Sequence, residues 1–155
     1  MKKKNNQMPD ISVIVCTYNH GSWIERCIRS LLNQNFINKS NFEIILIEDK
    51  STDSTKNVIK NFDDFENIRI YKNKTNLGLP KSLNKAIKLA RGRYVTRVDS
   101  DDYAQRNFLF LTKLYLDMNK EYQAVAVDYL KVDNFEANLS KENCFKKEIA
   151  CGIMY

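Results

Sequence analysis

Glycine and proline are scarce, four and two residues in a chain of 155, which excludes a collagen-like or linker-dominated polymer. Histidine occurs once, and Cys16, Cys27, Cys144 and Cys151 form neither a C-x-x-C pair nor a zinc spacing with His20. Cys16 falls in an apolar strand and Cys27 on the apolar face of a helix, so both read as small buried hydrophobes in a reduced, cytoplasmic setting. No apolar run approaches the length of a transmembrane span. The lysines at 2–4 are followed by Asn5, Asn6 and Gln7, where a signal peptide carries its apolar stretch. A soluble protein is expected, with at most a peripheral contact at the inner face of a membrane. Also absent are G-x-G-x-x-G after the first strand and G-x-x-x-x-G-K-[ST], which cradle phosphates in dinucleotide and P-loop sites, and the G-x-S-x-G of serine hydrolases.

What is present is a globular composition, 43% hydrophobic and 11% aromatic, in a length suited to one domain with a real core. A polar tail over 1–9 precedes a domain over 10–155. The net charge of +6 suits phosphorylated ligands, nucleic acid or an anionic surface, but Lys2, Lys3 and Lys4 on the tail supply half of it. A nucleic-acid module interleaves aromatic and basic residues on its strands. Here the strands are apolar, and no nucleic-acid partner is expected.

Nearly continuous apolar runs at 11–17 and 42–47 predict strands buried on both faces, with further strands at 68–71, 93–98 and 123–132. Between them apolar residues recur at helical spacing. Trp23, Ile24, Cys27, Ile28, Leu31 and Leu32 stripe a first helix, opened by Ser22 and Glu25 as a capping box and ending near 33–35. Turn residues at 50–53 open a second helix carrying Val58, Ile59 and Phe62, with Asp53 as a cap. Leu79, Leu83, Ala86, Ile87 and Ala90 stripe a third, closed by Arg91 and Gly92. Phe108, Leu111, Leu114, Tyr115 and Met118 stripe a fourth over about 106–118. Beyond Asp133 the pattern decays, until an apolar stretch at 149–155.

This alternation predicts an α/β fold, a mainly parallel sheet flanked by helices and joined by right-handed crossovers. Ligands in such sheets bind beyond the C-terminal strand ends, at the topological switch point. The polar clusters fall there: Thr17-Tyr18-Asn19, Glu48-Asp49, and the acidic turn Asp99-Ser100-Asp101-Asp102. Carboxylates this close repel unless a positive charge sits among them, and a hard divalent cation such as Mg²⁺ or Mn²⁺ is the usual partner. A solvated turn capping the next helix is the plainer alternative for the acidic stretch taken alone.

In their order and spacing, VIVCTYN (13–19), EDKSTDST (48–55), NLGLPKSLNKAI (76–87) and RYVTRVDSDD (93–102) resemble the family 2 glycosyltransferases over residues 10–132. The resemblance implies the GT-A nucleotide-diphospho-sugar transferase fold. It implies inverting transfer of a sugar from a nucleotide diphosphate donor, often UDP-linked, to a glycan or lipid-linked acceptor in cell-surface polysaccharide synthesis. Thr17, Tyr18 and Asn19 then match the first-strand motif lining the nucleobase pocket, and Asp49 the carboxylate on the uracil edge. Gly78 and Asn84 match the third block, which brings Lys81 near the sugar or diphosphate. Asp99 and Asp101 match the Asp-x-Asp motif for Mg²⁺ or Mn²⁺: the resemblance implies that Asp101 ligates the metal, Asp99 the metal or the ribose, and that Asp102 meets the sugar or supports the metal's ligands from behind. The family's general base lies downstream of this motif. The stretch at 149–155 reads as the start of a strand near the acceptor site, and the chain as a donor-binding half truncated at its C-terminus. Asp128, Asp133 and Glu136 match no base motif. The alternative reading is a truncated, non-catalytic module that binds a nucleotide sugar. A sugar nucleotidyltransferase would need a Gly- and Arg-rich loop after the first strand, which Tyr18 to Gly21 do not supply.

Overall fold

The computed structural model describes residues 8–133 and 137–142. Strands β1 (Ile11–Thr17), β2 (Phe42–Glu48), β3 (Ile68–Lys72) and β4 (Tyr94–Arg97) form one parallel sheet in the order β3-β2-β1-β4. β1 and β2 are the central strands, and β2 is buried along its whole length, as a run of Ile and Leu without alternation requires. The chain first builds outward through β2 and β3. It then crosses back to lay β4 on the free side of β1, so the switch point falls between β1 and β4.

Helices α1 (Ile24–Leu32), α2 (Thr55–Lys60) and α4 (Phe108–Met118) pack on one sheet face, and α3 (Leu79–Leu89) on the other. The first interior joins Val13, Val15, Ile44 and Leu46 to Ile24, Ile28, Leu31, Ile59, Phe62 and Leu109. The second joins Ile14, Ile45 and Ile47 to Ala86 and the flanks of Leu83 and Leu89. Alternate residues of one strand thus feed opposite cores. Glu43, on β2, is also buried. It accepts from Ser12, Arg69 and Arg91, so its charge is compensated where the sheet meets the last turn of α3.

Several elements depart from the sequence reading. Trp23 holds the N-cap position of α1 and no side chain caps the helix; Glu25 pairs instead with Arg29 at 2.7 Å. α3 ends at Ala90 in extended conformation, not at a glycine cap. Gly92 is needed for close approach, because a Cβ there would stand 2.5 Å from Ser12 N. Leu79 and Ile87 are exposed, and Ser82 is buried with Ala86. α4 turns Leu109, Thr112 and Leu116 inward and leaves Leu111, Leu114, Tyr115 and Met118 exposed, so that of the expected stripe Phe108 alone packs against the core. The fifth strand begins only at Tyr129: β5 (Tyr129–Val132) pairs antiparallel with β6 (Asn138–Glu142), apart from the main sheet. β6 lies where no strand was expected. The apolar stretch at 149–155 and the tail over 1–7 lie outside the described residues. Among those residues no helix is long and apolar enough to cross a membrane.

Candidate functional site

The C-terminal ends of β1, β2 and β4 open into a crevice of about 250 Å³. Its walls include Thr17 and Tyr18 from the end of β1, Asp49 after β2, and Asp99 and Asp101 after β4. Thr17 is 2% exposed, and its Oγ1 has no hydrogen-bond partner among the described residues. Thr17 lines the crevice wall, so this buried and unpartnered hydroxyl lies next to where a ligand would sit. Tyr18 is half-exposed beside it and offers an aromatic face.

Asp49 is fully engaged. Its carboxylate accepts from Asn73 Nδ2 at 2.7 Å, Leu77 N at 2.9 Å and Gly78 N at 2.8 Å, which folds loop 73–78 over the end of β2. Burial alone would raise its pKa, but these donors together with Ser82 outweigh burial and hold it below the usual carboxylate value. Gly78 sits at φ 78°, a conformation glycine adopts without strain, so that its N–H can reach Asp49 at the start of α3.

The acidic turn is gripped from α1 and the loop before it. His20 Nδ1 lies 2.6 Å from Ser100 Oγ, Arg26 Nη2 donates to the Asp101 carbonyl at 3.2 Å, and Cys27 Sγ to the Asp99 carbonyl at 3.4 Å. Asp99 Oδ1 accepts from Arg97 at 2.5 Å. Burial raises the Asp102 carboxyl above its ordinary value, and the charges of Asp101 and Asp99 raise it further against Arg26 and Arg97. The turn therefore carries crowded negative charge. Among the described residues no three His, Cys, Asp or Glu side chains converge into a metal cage. Asp99 and Asp101 nevertheless both border the crevice, and one or two carboxylates completed by phosphate oxygens are what Mg²⁺ takes in nucleotide sites. The donor set fits such an ion.

Other expected residues lie elsewhere. Asn19, at φ 56°, brackets two loops: its N–H donates to Ser51 Oγ and its Oδ1 accepts from Thr52 N, and it does not line the crevice. Lys81 and Asn84 border a separate open groove with Tyr71, Lys85 and Lys88. Asp102, exposed as a residue but with its carboxyl partly desolvated, is not among the residues lining the crevice. Asp53 serves structure, as expected, accepting from Thr55 N and Gly21 N. Of the acidic residues after α4, Asp128 pairs with Lys141 at 3.3 Å and Asp133 accepts from Ala137 N within the β5–β6 hairpin. Glu136 lies outside the described residues.

The crevice also contains residues the sequence reading left out: Cys16, His20, Leu79, Ser82, Arg97 and Ser100. Cys16 is only partly buried, contrary to expectation. Burial still pushes its thiol up to about 12, with Arg97 opposing and Asp49 and Asp99 adding. Arg97 had a signal, since it stands two residues before Asp99. His20 had none, because Ser100 is eighty residues away in sequence.

The parallel α/β sheet thus carries a polar crevice at its switch point with an Asp-x-Asp turn on its rim. The family model "Glycosyl transferase family 2" matches residues 12–150, and the chain belongs to that family. It is 37% identical over 125 residues to an uncharacterized glycosyltransferase of Haemophilus influenzae, covering 80% of this chain and 38% of that protein. It is also 37% identical over 111 residues to the poly(ribitol-phosphate) β-N-acetylglucosaminyltransferase TarS of Staphylococcus aureus, covering 71% of this chain and 19% of that one. The crystal structure of S. aureus TarS 1–349 in complex with UDP superposes with a TM-score of 0.72 at 32% identity, over 83% of this chain and 37% of that chain. A mannosyltransferase of Pyrobaculum calidifontis, solved with GDP-Man and Mn²⁺, shares the fold at a TM-score of 0.56 and 24% identity, over 63% of this chain and 29% of that one. The chain spans less than half the length of each of these proteins.

Proposed function

We propose that this chain forms the donor-binding part of a glycosyltransferase that takes a sugar from a uridine diphosphate donor and passes it, with inversion, to a glycan or lipid-linked acceptor. The observation that carries this reading is the convergence of Thr17, Tyr18, Asp49, Asp99 and Asp101 on one crevice at the switch point, with the buried Thr17 hydroxyl left unpartnered among the described residues. The UDP and UDP-GlcNAc complexes of S. aureus TarS support a uridine donor.

In this reading the base lies against Tyr18 and is met by the Thr17 hydroxyl. Asp49 fixes the loop that closes that end, since its own acceptors are already taken by loop 73–78. Asp101 and Asp99 would hold a divalent cation, which as a Lewis acid supplies charge stabilisation to the departing diphosphate. Asp102 stands next along the rim for the sugar. Glycosyl transfer also needs a base for the acceptor hydroxyl, and none is assigned here, Asp128 and Asp133 being held within the hairpin.

Calorimetric titration of UDP in Mn²⁺ and then in EDTA tests the reading. Binding is expected in Mn²⁺ and at least about tenfold weaker both in EDTA and in Asp101→Ala, a loss of roughly 1.4 kcal/mol or more. A folded protein that ignores UDP in both buffers overturns the reading. Mn²⁺-dependent binding unchanged in Asp101→Ala moves the metal off this turn.

A further inference from the structure

Arg97 ends β4, and Asp99 follows two residues on, in the turn beyond the strand. Arg97 Nε and Nη2 both lie 2.5 Å from Asp99 Oδ1. Arg97 is the one lysine or arginine among the described residues lining the crevice. The pair is open to solvent, 41% and 43% exposed, and pairs of that kind hold weakly. The turn itself does not depend on it, because His20, Arg26 and Cys27 anchor Ser100 and the carbonyls of Asp101 and Asp99 from the other side. Arg97 is thus a counter-ion resting on an independently fixed turn.

We propose that Arg97 occupies Asp99 in place of the divalent cation and makes cation binding conditional on the donor's diphosphate. The inference rests on the donor reading above. A cation arriving alone has to displace Arg97 from Asp99. The released guanidinium then finds no free anion in the crevice, since Asp99 and Asp101 are taken up by the cation and the Asp49 oxygens already accept from Asn73, Leu77 and Gly78. A diphosphate changes that balance. A guanidinium matches phosphate oxygens through two parallel N–H donors, so Arg97 exchanges one anionic partner for another. Cation and nucleotide then bind with positive coupling through this residue. By linkage, each raises the other's affinity by the same factor.

The test is Mn²⁺ titration followed by electron paramagnetic resonance of the free ion, with and without saturating UDP, on the wild-type chain, Arg97→Gln and Arg97→Lys. Arg97→Gln is expected to bind Mn²⁺ alone about two- to fivefold more tightly, the gain from deleting a solvent-exposed competitor. The enhancement of Mn²⁺ affinity by UDP is expected to shrink about fivefold or more in the same variant. Arg97→Lys keeps the charge but not the planar fork and should fall between. A merely structural role predicts weaker Mn²⁺ binding in Arg97→Gln both with and without UDP, and that result overturns the inference. Equal Mn²⁺ affinity and equal enhancement in Arg97→Gln, with a wild type that binds both ligands, overturns it while leaving the donor reading standing. A wild type that binds neither Mn²⁺ nor UDP overturns both.

Discussion

At the scale of single residues, Asp49 shows how much a correctly located carboxylate can conceal. Its place after an apolar strand marked it as a site residue, but its partners are mostly backbone N–H groups of residues 77 and 78, which have no side-chain signature. Its work of holding loop 73–78 was therefore invisible in the sequence, whereas its address was plain. Asp49→Asn leaves one acceptor oxygen and aims an amide NH₂ at donors. The expected cost is about 1–3 kcal/mol, for a buried group set against an unsatisfied partner. Urea denaturation measures it, and a midpoint equal to wild type means the loop is held by other contacts. Arg97 and His20 make the complementary point. The first was within reach, two residues from a flagged aspartate. The second acquires its partner only when β1 and β4 become neighbours.

At the scale of elements, the strands were legible and the helix faces less so. A buried parallel strand is a short apolar run, and β1 and β2 fall where such runs are. α4 turns a different face inward from the one its apolar stripe predicts, and α3 is rotated only in part, Leu83, Ala86 and Ala90 packing as expected while Leu79 and Ile87 do not. Each helix buries a hydroxyl residue that an apolar stripe leaves out. Ser82 Oγ accepts from Asn73 Nδ2, and Thr112 Oγ1 donates to the Phe108 carbonyl. Once satisfied, a hydroxyl is cheap to bury. α4 is apolar on most sides, so what orients it is polar: Gln34 Oε1 accepts from Leu109 N at 2.9 Å, and Asn35 N donates to the Arg106 carbonyl at 2.7 Å. The turn into β4 was likewise misjudged, its glycine being required by the Ser12 backbone rather than by a helix cap. Gly92→Ala sets a Cβ 2.5 Å from Ser12 N and 2.6 Å from the Ile11 carbonyl carbon. Backbone must shift to admit it, at an expected cost of about 1–3 kcal/mol, read as a lower denaturation midpoint. An unchanged midpoint would show that the turn slides away freely.

At the scale of the whole molecule, topology and crevice followed from strand–helix alternation and from where the polar clusters fell. What did not follow is how charge is distributed through the fold. Burial would raise the Glu43 carboxyl, yet Arg91, Arg69 and Ser12 bring it below its ordinary value. Asp117 is held well below the carboxylate range, chiefly by Lys113, against burial, with Tyr94 and Lys120 adding. These groups tie opposite parts of the molecule, Glu43 joining β1, β2 and β3 to the end of α3, and Asp117 joining α4 to β4. A carboxyl whose pKa is depressed in the folded state contributes stability that is fully present above its unfolded value, near 4. That contribution is lost as pH falls through the folded values below it. The urea midpoint is therefore expected to hold steady from pH 7 to about 5 and to fall increasingly steeply below about pH 4. Glu43→Gln should lower the midpoint at neutral pH, by leaving Arg69 and Arg91 without their shared anion, and should flatten the acid limb. An acid limb as steep in Glu43→Gln as in wild type would place the proton uptake on other carboxylates, Asp117 first among them. Asp117→Asn then separates the two, because the link it removes, between α4 and β4, is independent of the one held by Glu43.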